Sequence, residues 1–502
     1  MKFRLRFAGL WIVAQLLIFL LIDQAYSISL EGRVKEYTLG NGMKVVLLQR
    51  HQSPTLSLHI RFRVGAVDEN LGTTGTAHLL EHMLFKGTKT LGTKNYAEEE
   101  KVLIRIDSVA MALEAEKAKG EKADKDFLRY LEKSLQELTE EHRKWVVKDE
   151  IELLYSQNGG VGFNAMTSAD TTTYVVNLPS NRLELWARIE SDRILNPVLR
   201  EFYSERDVVM EERRRSYDSQ PERKLLEHFL ATAFLAHPYG RPVIGWPSDL
   251  QHLDKPATEK FFRTFYSPAN TVLTVVGDLD PEAALSVIKK YFERIPPQIL
   301  PPPLRTQEPE QLGERCIQVV ADANPQMIIG FHKPNPPHGD DVVCDIIEGL
   351  LSYGRTSRFY QRLVEEEKIA VEVSAANGFP GERYPNLFVI FATPRHPHTA
   401  EELEKAIFRE LDRLKNEPVG ELELKKVQNQ IQTDFLRKLN SNSKLAYWLS
   451  YGQSLWGNWR YFTKRLTSYE KVSAEDIRRV AQKYFTPRNR TVATLVKSAA
   501  AP

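Results

Sequence analysis

Two histidines four residues apart, His78 and His82, with Glu81 beside the second, constrain this chain more than any other feature. The stretch Gly75 to Thr88 reads G-T-A-H-L-L-E-H-M-L-F-K-G-T. On a helix, residues four apart share one face, so both imidazoles can point at one metal ion. Imidazole suits zinc, and a catalytic zinc site needs three protein ligands plus an open position for water. Glu81 is placed to take a proton from that water. The competing reading is a surface turn with two solvated histidines. With 12 histidines in 502 residues, a chance match is on the order of a few per cent.

A third ligand comes from Glu205-Arg206-Asp207-Val208-Val209-Met210-Glu211-Glu212. Glu205 and Glu212 are seven apart, two turns along one helical face. Val208 and Val209 supply the buried side of the same helix. One carboxylate can ligate the metal while the other orients a histidine. Taken without the histidines, this segment reads as a solvated acidic face, because Glu211 to Arg215 is a charge run.

The order H-x-x-E-H is that of the inverted zinc peptidases. Together with the downstream E-(six residues)-E helix, it resembles the insulinase/pitrilysin family, and most its short members related to mitochondrial processing peptidase. The resemblance covers essentially everything after the N-terminal segment. It implies one Zn2+ per chain, held by His78, His82 and Glu212. Glu81 becomes the general base and Glu205 a supporting residue behind the ligands. It also implies a zinc metalloendopeptidase acting on unfolded or short peptides in an enclosed chamber built by a dimer. The other class of function is a non-catalytic scaffold or a peptide-binding subunit. An intact metal set argues against the scaffold.

At 502 residues the chain is too long for a single core. A net charge of +2 gives no electrostatic case for nucleic acid. Met1 to Arg6 is basic, Phe7 to Ile22 is apolar apart from Gln15, and Ala25 and Ser27 are small. Residues 1–27 therefore read as a secretory signal peptide, with export to a bacterial periplasm. The alternative is an uncleaved segment anchoring the chain in the inner membrane, which is the one membrane partner considered.

Phe265-Tyr266-Ser267-Pro268-Ala269-Asn270-Thr271-Val272 resembles Tyr484-Phe485-Thr486-Pro487-Arg488-Asn489-Arg490-Thr491-Val492. Each follows an amphipathic helix and leads into a β-branched run, with Pro closing the helix. Pro296, Pro297, Pro301, Pro302 and Pro303 form a stiff extended link between the copies. The expected fold is α+β: two similar tandem domains, 31–295 and 316–497, joined by 296–315. Each is expected to be an antiparallel sheet with helices packed on one face. The chain has two cysteines, Cys316 in an apparent strand and Cys344 in an apparent helix. Both a disulfide and two buried thiols stay open.

Residues 159–174 read as a Gly-rich turn and a β-branched strand. An edge strand binds extended peptides by strand addition. The family resemblance points to Asn164 and Ala165 as substrate-positioning residues; an ordinary hairpin is the alternative. Between His82 and Glu212 the gap exceeds the family's usual one. The excess falls near 98–151, which has helical spacing, a break at Lys119-Gly120 and a cap at Asp124. It reads as a charged helical hairpin inserted in the first domain, serving as a gate, a partner site or a surface elaboration. In the second half, the family's Arg and Tyr that hold the substrate carbonyl fall on Val364 and Val371. Valine donates no hydrogen bond to an oxyanion. The chain thus works either as a homodimer or as a heterodimer whose partner carries the Arg/Tyr pair.

Overall fold

The structure is a computed structural model describing residues 30–497. The segment read as a signal peptide, 1–27, lies outside the described residues. Among the described residues no helix is long and apolar enough to cross a membrane.

Two sheets organise the chain. The first comprises β1 (Val34–Thr38), β2 (Lys44–Gln49), β3 (Thr55–Phe62), β4 (Val161–Thr167), β5 (Thr172–Pro179) and β6 (Thr271–Gly277), in the order β1-β2-β6-β3-β5-β4. The second comprises β7 (Arg315–Ala321), β8 (Gln326–Lys333), β9 (Ala370–Phe379), β10 (Asn386–Pro394) and β11 (Arg490–Lys497), in the order β7-β11-β8-β10-β9. Removing β1 makes the two orders correspond strand for strand. The repeated Pro-x-Asn segment explains part of this. Asn270 donates to the carbonyls of Arg63 and Phe265, and Asn489 donates to those of His332 and Tyr484. Each asparagine ties the end of a helix to the neighbouring strand just before β6 or β11 begins.

The α+β, two-sheet architecture expected from the sequence is present, with two differences of detail. Each sheet is mixed, not purely antiparallel: β2 runs parallel to β6 and β7 parallel to β11. Helices also cover both faces, because the two halves exchange one. The Asn442–Leu455 helix of the second half lays Leu445, Ala446 and Leu449 on Val46, Leu48, Val272 and Val276 of the first sheet. The Pro221–Ala233 helix of the first half lays Leu225, Phe229 and Ala233 on Ile328, Leu387, Val389 and Leu495 of the second. This is why Val45 to Leu48 is a continuous apolar run: alternate residues point to opposite buried faces. Gly330 is required by the exchange, since a Cβ there would lie 2.5 Å from the Phe229 ring.

The Pro-rich segment is pinned rather than free. The Glu308 carboxylate accepts the backbone N–H groups of Leu235, Ala236 and His237 at 2.7, 2.9 and 3.0 Å. Cys316 is exposed on β7 and Cys344 is buried in the Gly339–Ser352 helix; both are free thiols.

Candidate metal centre

The Thr76–Met83 helix starts at Gly75, whose φ of 90° and close approach to the Ile244 carbonyl exclude a side chain. Glu69 takes the place of a side-chain cap. Its buried carboxylate accepts the N–H groups of Gly75 and Ala77 at 2.8 and 2.7 Å, satisfying donors left open at the helix start. Leu79, Leu80 and Met83 bury the helix in the first core. The remaining face carries His78 and His82, whose ring centroids are 4.9 Å apart at 76°.

The Phe202–Arg213 helix packs alongside. Phe202 and Val209 bury it, whereas Val208, expected on the same buried side, is about half exposed at 48%. Glu212 Oε2 lies 3.7 Å from His78 Nε2 and 3.6 Å from His82 Nε2. Ligands held about 2.1 Å from a tetrahedral zinc stand about 3.4 Å apart, so the three groups fit such an ion with little adjustment. Their potential ligand atoms all lie within 4.8 Å of one another, and among the described residues no other group of three does so. His78 Nδ1 is buried without a partner. Burial pushes the His78 imidazole down to about 4, with His82 adding to the shift. The ring is thereby kept neutral, as a metal ligand must be.

Glu205 stands behind His82, with Oε2 3.5 Å from Nδ1. Lys86, four residues after His82, holds the other carboxylate oxygen at 2.6 Å. Burial alone would push the Glu205 carboxyl up, but His82 and Lys86 hold it below the usual carboxylate range. The Glu205 contact in turn raises His82 against the effect of burial. Glu81 accepts a 2.5 Å hydrogen bond from the Thr167 hydroxyl on Oε2. Burial pushes its carboxyl above the usual value, while Thr167 and His82 pull the other way. A carboxylate with a raised pKa suits proton transfer near neutral pH.

Asn164 and Ala165 lie on β4, the edge strand beside this centre. They pair with Val175 and Tyr174 of β5, and no described strand pairs with the other edge. Asn164 is exposed and Ala165 buried. Val371 is exposed on β9, and Val364 packs against the second core. Thr167, Lys86 and the braces of the Phe202–Arg213 helix had escaped the sequence reading. Arg200 donates to the carbonyls of Lys86 and Thr88 and pairs with Glu99 at 2.6 Å. Glu99 belongs to the Tyr96–Lys117 helix and also meets His142 at 2.8 Å. That helix and Lys125–Arg143 form the expected hairpin, with Asp124 capping the second arm. Lys86-Gly87-Thr88, directly after the histidines, was the one local signal for this network.

Two family models match the chain. The model described as insulinase (peptidase family M16) matches residues 44–113 and 142–246, and that of the peptidase M16 inactive domain matches 253–431. The chain belongs to the M16 peptidase family. The first M16 match contains His78, Glu81, His82, Glu205 and Glu212, and passes over residues 114–141. A relative, the zinc protease PqqE of Helicobacter pylori, is 28% identical over 475 residues, 91% of each chain. A probable mitochondrial-processing peptidase subunit beta of Arabidopsis thaliana is 21% identical, over 91% of this chain and 77% of that one. The crystal structure of a protease from Helicobacter pylori superimposes with a TM-score of 0.77 at 26% identity, covering 92% of this chain and 99% of that one.

Proposed function

We propose that this M16 chain is a zinc-dependent endopeptidase. The convergence of His78, His82 and Glu212, with Glu81 beside them, carries the reading. A zinc ion held there supplies Lewis acidity toward a scissile carbonyl and lowers the pKa of water. Glu81 takes a proton from the attacking water and returns it to the leaving amine. Thr167 fixes one Glu81 oxygen and leaves the other for that transfer. The free edge of β4, with Asn164 and Ala165, receives an extended peptide as an added strand. This favours unfolded or short peptides enclosed between the halves of a dimer.

Val364 and Val371 favour a more specific assembly, a heterodimer whose second member brings the Arg/Tyr pair. A role as the peptide-binding member of such a pair is the second reading. Export to a bacterial periplasm rests on residues 1–27 alone. The test is hydrolysis of an unstructured quenched peptide by the zinc-loaded chain, alone and mixed with a family member lacking the histidines. Activity appearing on mixing supports the heterodimer. Full activity of the chain as a homodimer overturns it, and absence of zinc binding overturns the enzyme reading.

A further inference from the structure

The repeat places a second, altered copy of the metal centre in the other half. The Gly339–Ser352 helix corresponds to Thr76–Met83, and Asp345-x-x-Glu348-Gly349 stands where His78-x-x-Glu81-His82 stands. Both glutamates precede a positive-φ glycine by six residues: Gly87 at 100° and Gly354 at 74°. Glu81 accepts from Thr167 of β4, and Glu348 accepts the N–H of Asn377 in the matching strand β9 at 3.0 Å. With aspartate and glycine in place of the histidines, this copy lacks the metal-binding set. It borders instead a cavity of about 580 Å³ under the Glu421–Lys438 and Arg460–Tyr469 helices. That volume is within the range of small-molecule sites.

The cavity wall carries unpaired polar atoms of both kinds. Glu382 Oε2 and Asn377 Oδ1 are buried acceptors without partners. Arg465 Nη1 and Trp456 Nε1 are buried donors without partners. Arg465 is only 8% exposed, although its other nitrogens bind Asp341, Asp345 and Tyr469. Trp448 and Phe462, stacked at 5.1 Å and 6°, form the apolar part of the wall, with the Lys438 ammonium 4.4 Å from the Trp448 ring centroid. Unpaired buried polar groups are costly, and a ligand or water supplies what they lack. They sit just behind the cavity surface, so engaging a ligand takes side-chain rotations of the kind common on binding. Burial pushes both Glu348 and Glu382 up to about 7, against the pull of Lys438 on the first and of Arg465 on the second.

We infer that this cavity is a binding site for a small zwitterion, a free α-amino acid or dipeptide with an apolar side chain. Its ammonium meets Glu382 and Asn377, its carboxylate meets Arg465 and Trp456, and its side chain lies against Trp448 and Phe462. The inference does not depend on the peptidase reading.

Thermal unfolding of the full chain tests it, with L-phenylalanine and a phenylalanyl dipeptide against phenethylamine and 3-phenylpropanoate. Saturable stabilisation by the zwitterions is expected, with affinity at least about tenfold above the single-charge analogues, the worth of one charge-assisted hydrogen bond. Glu382→Gln and, separately, Trp448→Ala weaken that binding about tenfold, while His82→Ala leaves it unchanged. Circular dichroism verifies each fold. No saturable shift at millimolar zwitterion overturns the inference, as does equal binding of phenethylamine. Loss of binding in His82→Ala with retention in Glu382→Gln moves the ligand to the metal centre and also overturns it.

Discussion

Glu205 Oε2 lies 3.5 Å from His82 Nδ1, on the ring nitrogen away from Glu212. A carboxylate in that place fixes the tautomer and direction of a metal-binding imidazole. Lys86 holds the carboxylate in turn at 2.6 Å. Glu205→Gln is therefore expected to weaken zinc binding about 10- to 100-fold. Chelator competition measures this, and Glu81→Gln, which alters no ligand, serves as the comparison.

The hairpin's base is tied to the metal-centre helices by a buried ion cluster. Glu99 and Arg200 are both fully enclosed, and removing one member leaves an unpaired buried charge. Glu99→Gln is expected to cost about 3–5 kcal/mol of stability. The exposed Arg105–Glu141 pair of the same hairpin contributes at most about 1 kcal/mol. Urea unfolding of Glu99→Gln and Glu141→Gln compares the two. Equal midpoints would contradict the clamp.

How much of this was legible in sequence follows from how local each signal is. The His78–His82 pair and the Glu205–Glu212 pair each lie on one helix, so periodicity alone brings their members to one face. Only family resemblance joined the two helices. Thr167 gave no such signal and Lys86 only its place four residues after His82, because both become functional only when β4 and the second helix meet the first. Val208 misled for a related reason: apolar character marks a buried face only when a neighbour covers it. The helix exchange was equally hidden, since Leu445 or Phe229 does not encode which sheet it will cover. The second copy of the site was present in spacing, but losing both histidines removed the residues that draw the eye.

His59 is buried on the polar face of β3, and burial followed by Arg61 lowers its pKa to about 3. The unfolded chain takes up a proton there below about pH 6.5, while the folded chain stays neutral. His59 thus costs stability progressively as pH falls from about 6.5 toward 3, by up to about 1.4 kcal/mol per pH unit. Other groups titrate in this window, so the informative quantity is the stability of the natural chain minus that of His59→Gln. That difference should turn against the natural chain as pH falls. A flat difference between pH 7 and 4 would contradict a buried neutral ring.

Glu382 has the opposite slope. Burial raises its carboxyl to about 7, with Asp341 and Asp345 acting in the same direction and Arg465 against them. Its protonated form favours the fold below about pH 4.5, and that advantage is lost as pH rises through 7. Glu382→Gln, neutral at every pH, should therefore gain on the natural chain between pH 4.5 and 7 in denaturant unfolding. An apolar amino acid in the cavity should narrow the gap at neutral pH.

The most direct test of the central claim is the zinc content and peptide hydrolysis of Glu81→Gln beside the natural chain, each with whatever partner activity requires. A general base contributes about 10²- to 10⁴-fold. The account predicts one zinc bound by both proteins and a fall of that size in hydrolysis for the variant. Undiminished hydrolysis by zinc-loaded Glu81→Gln would contradict it.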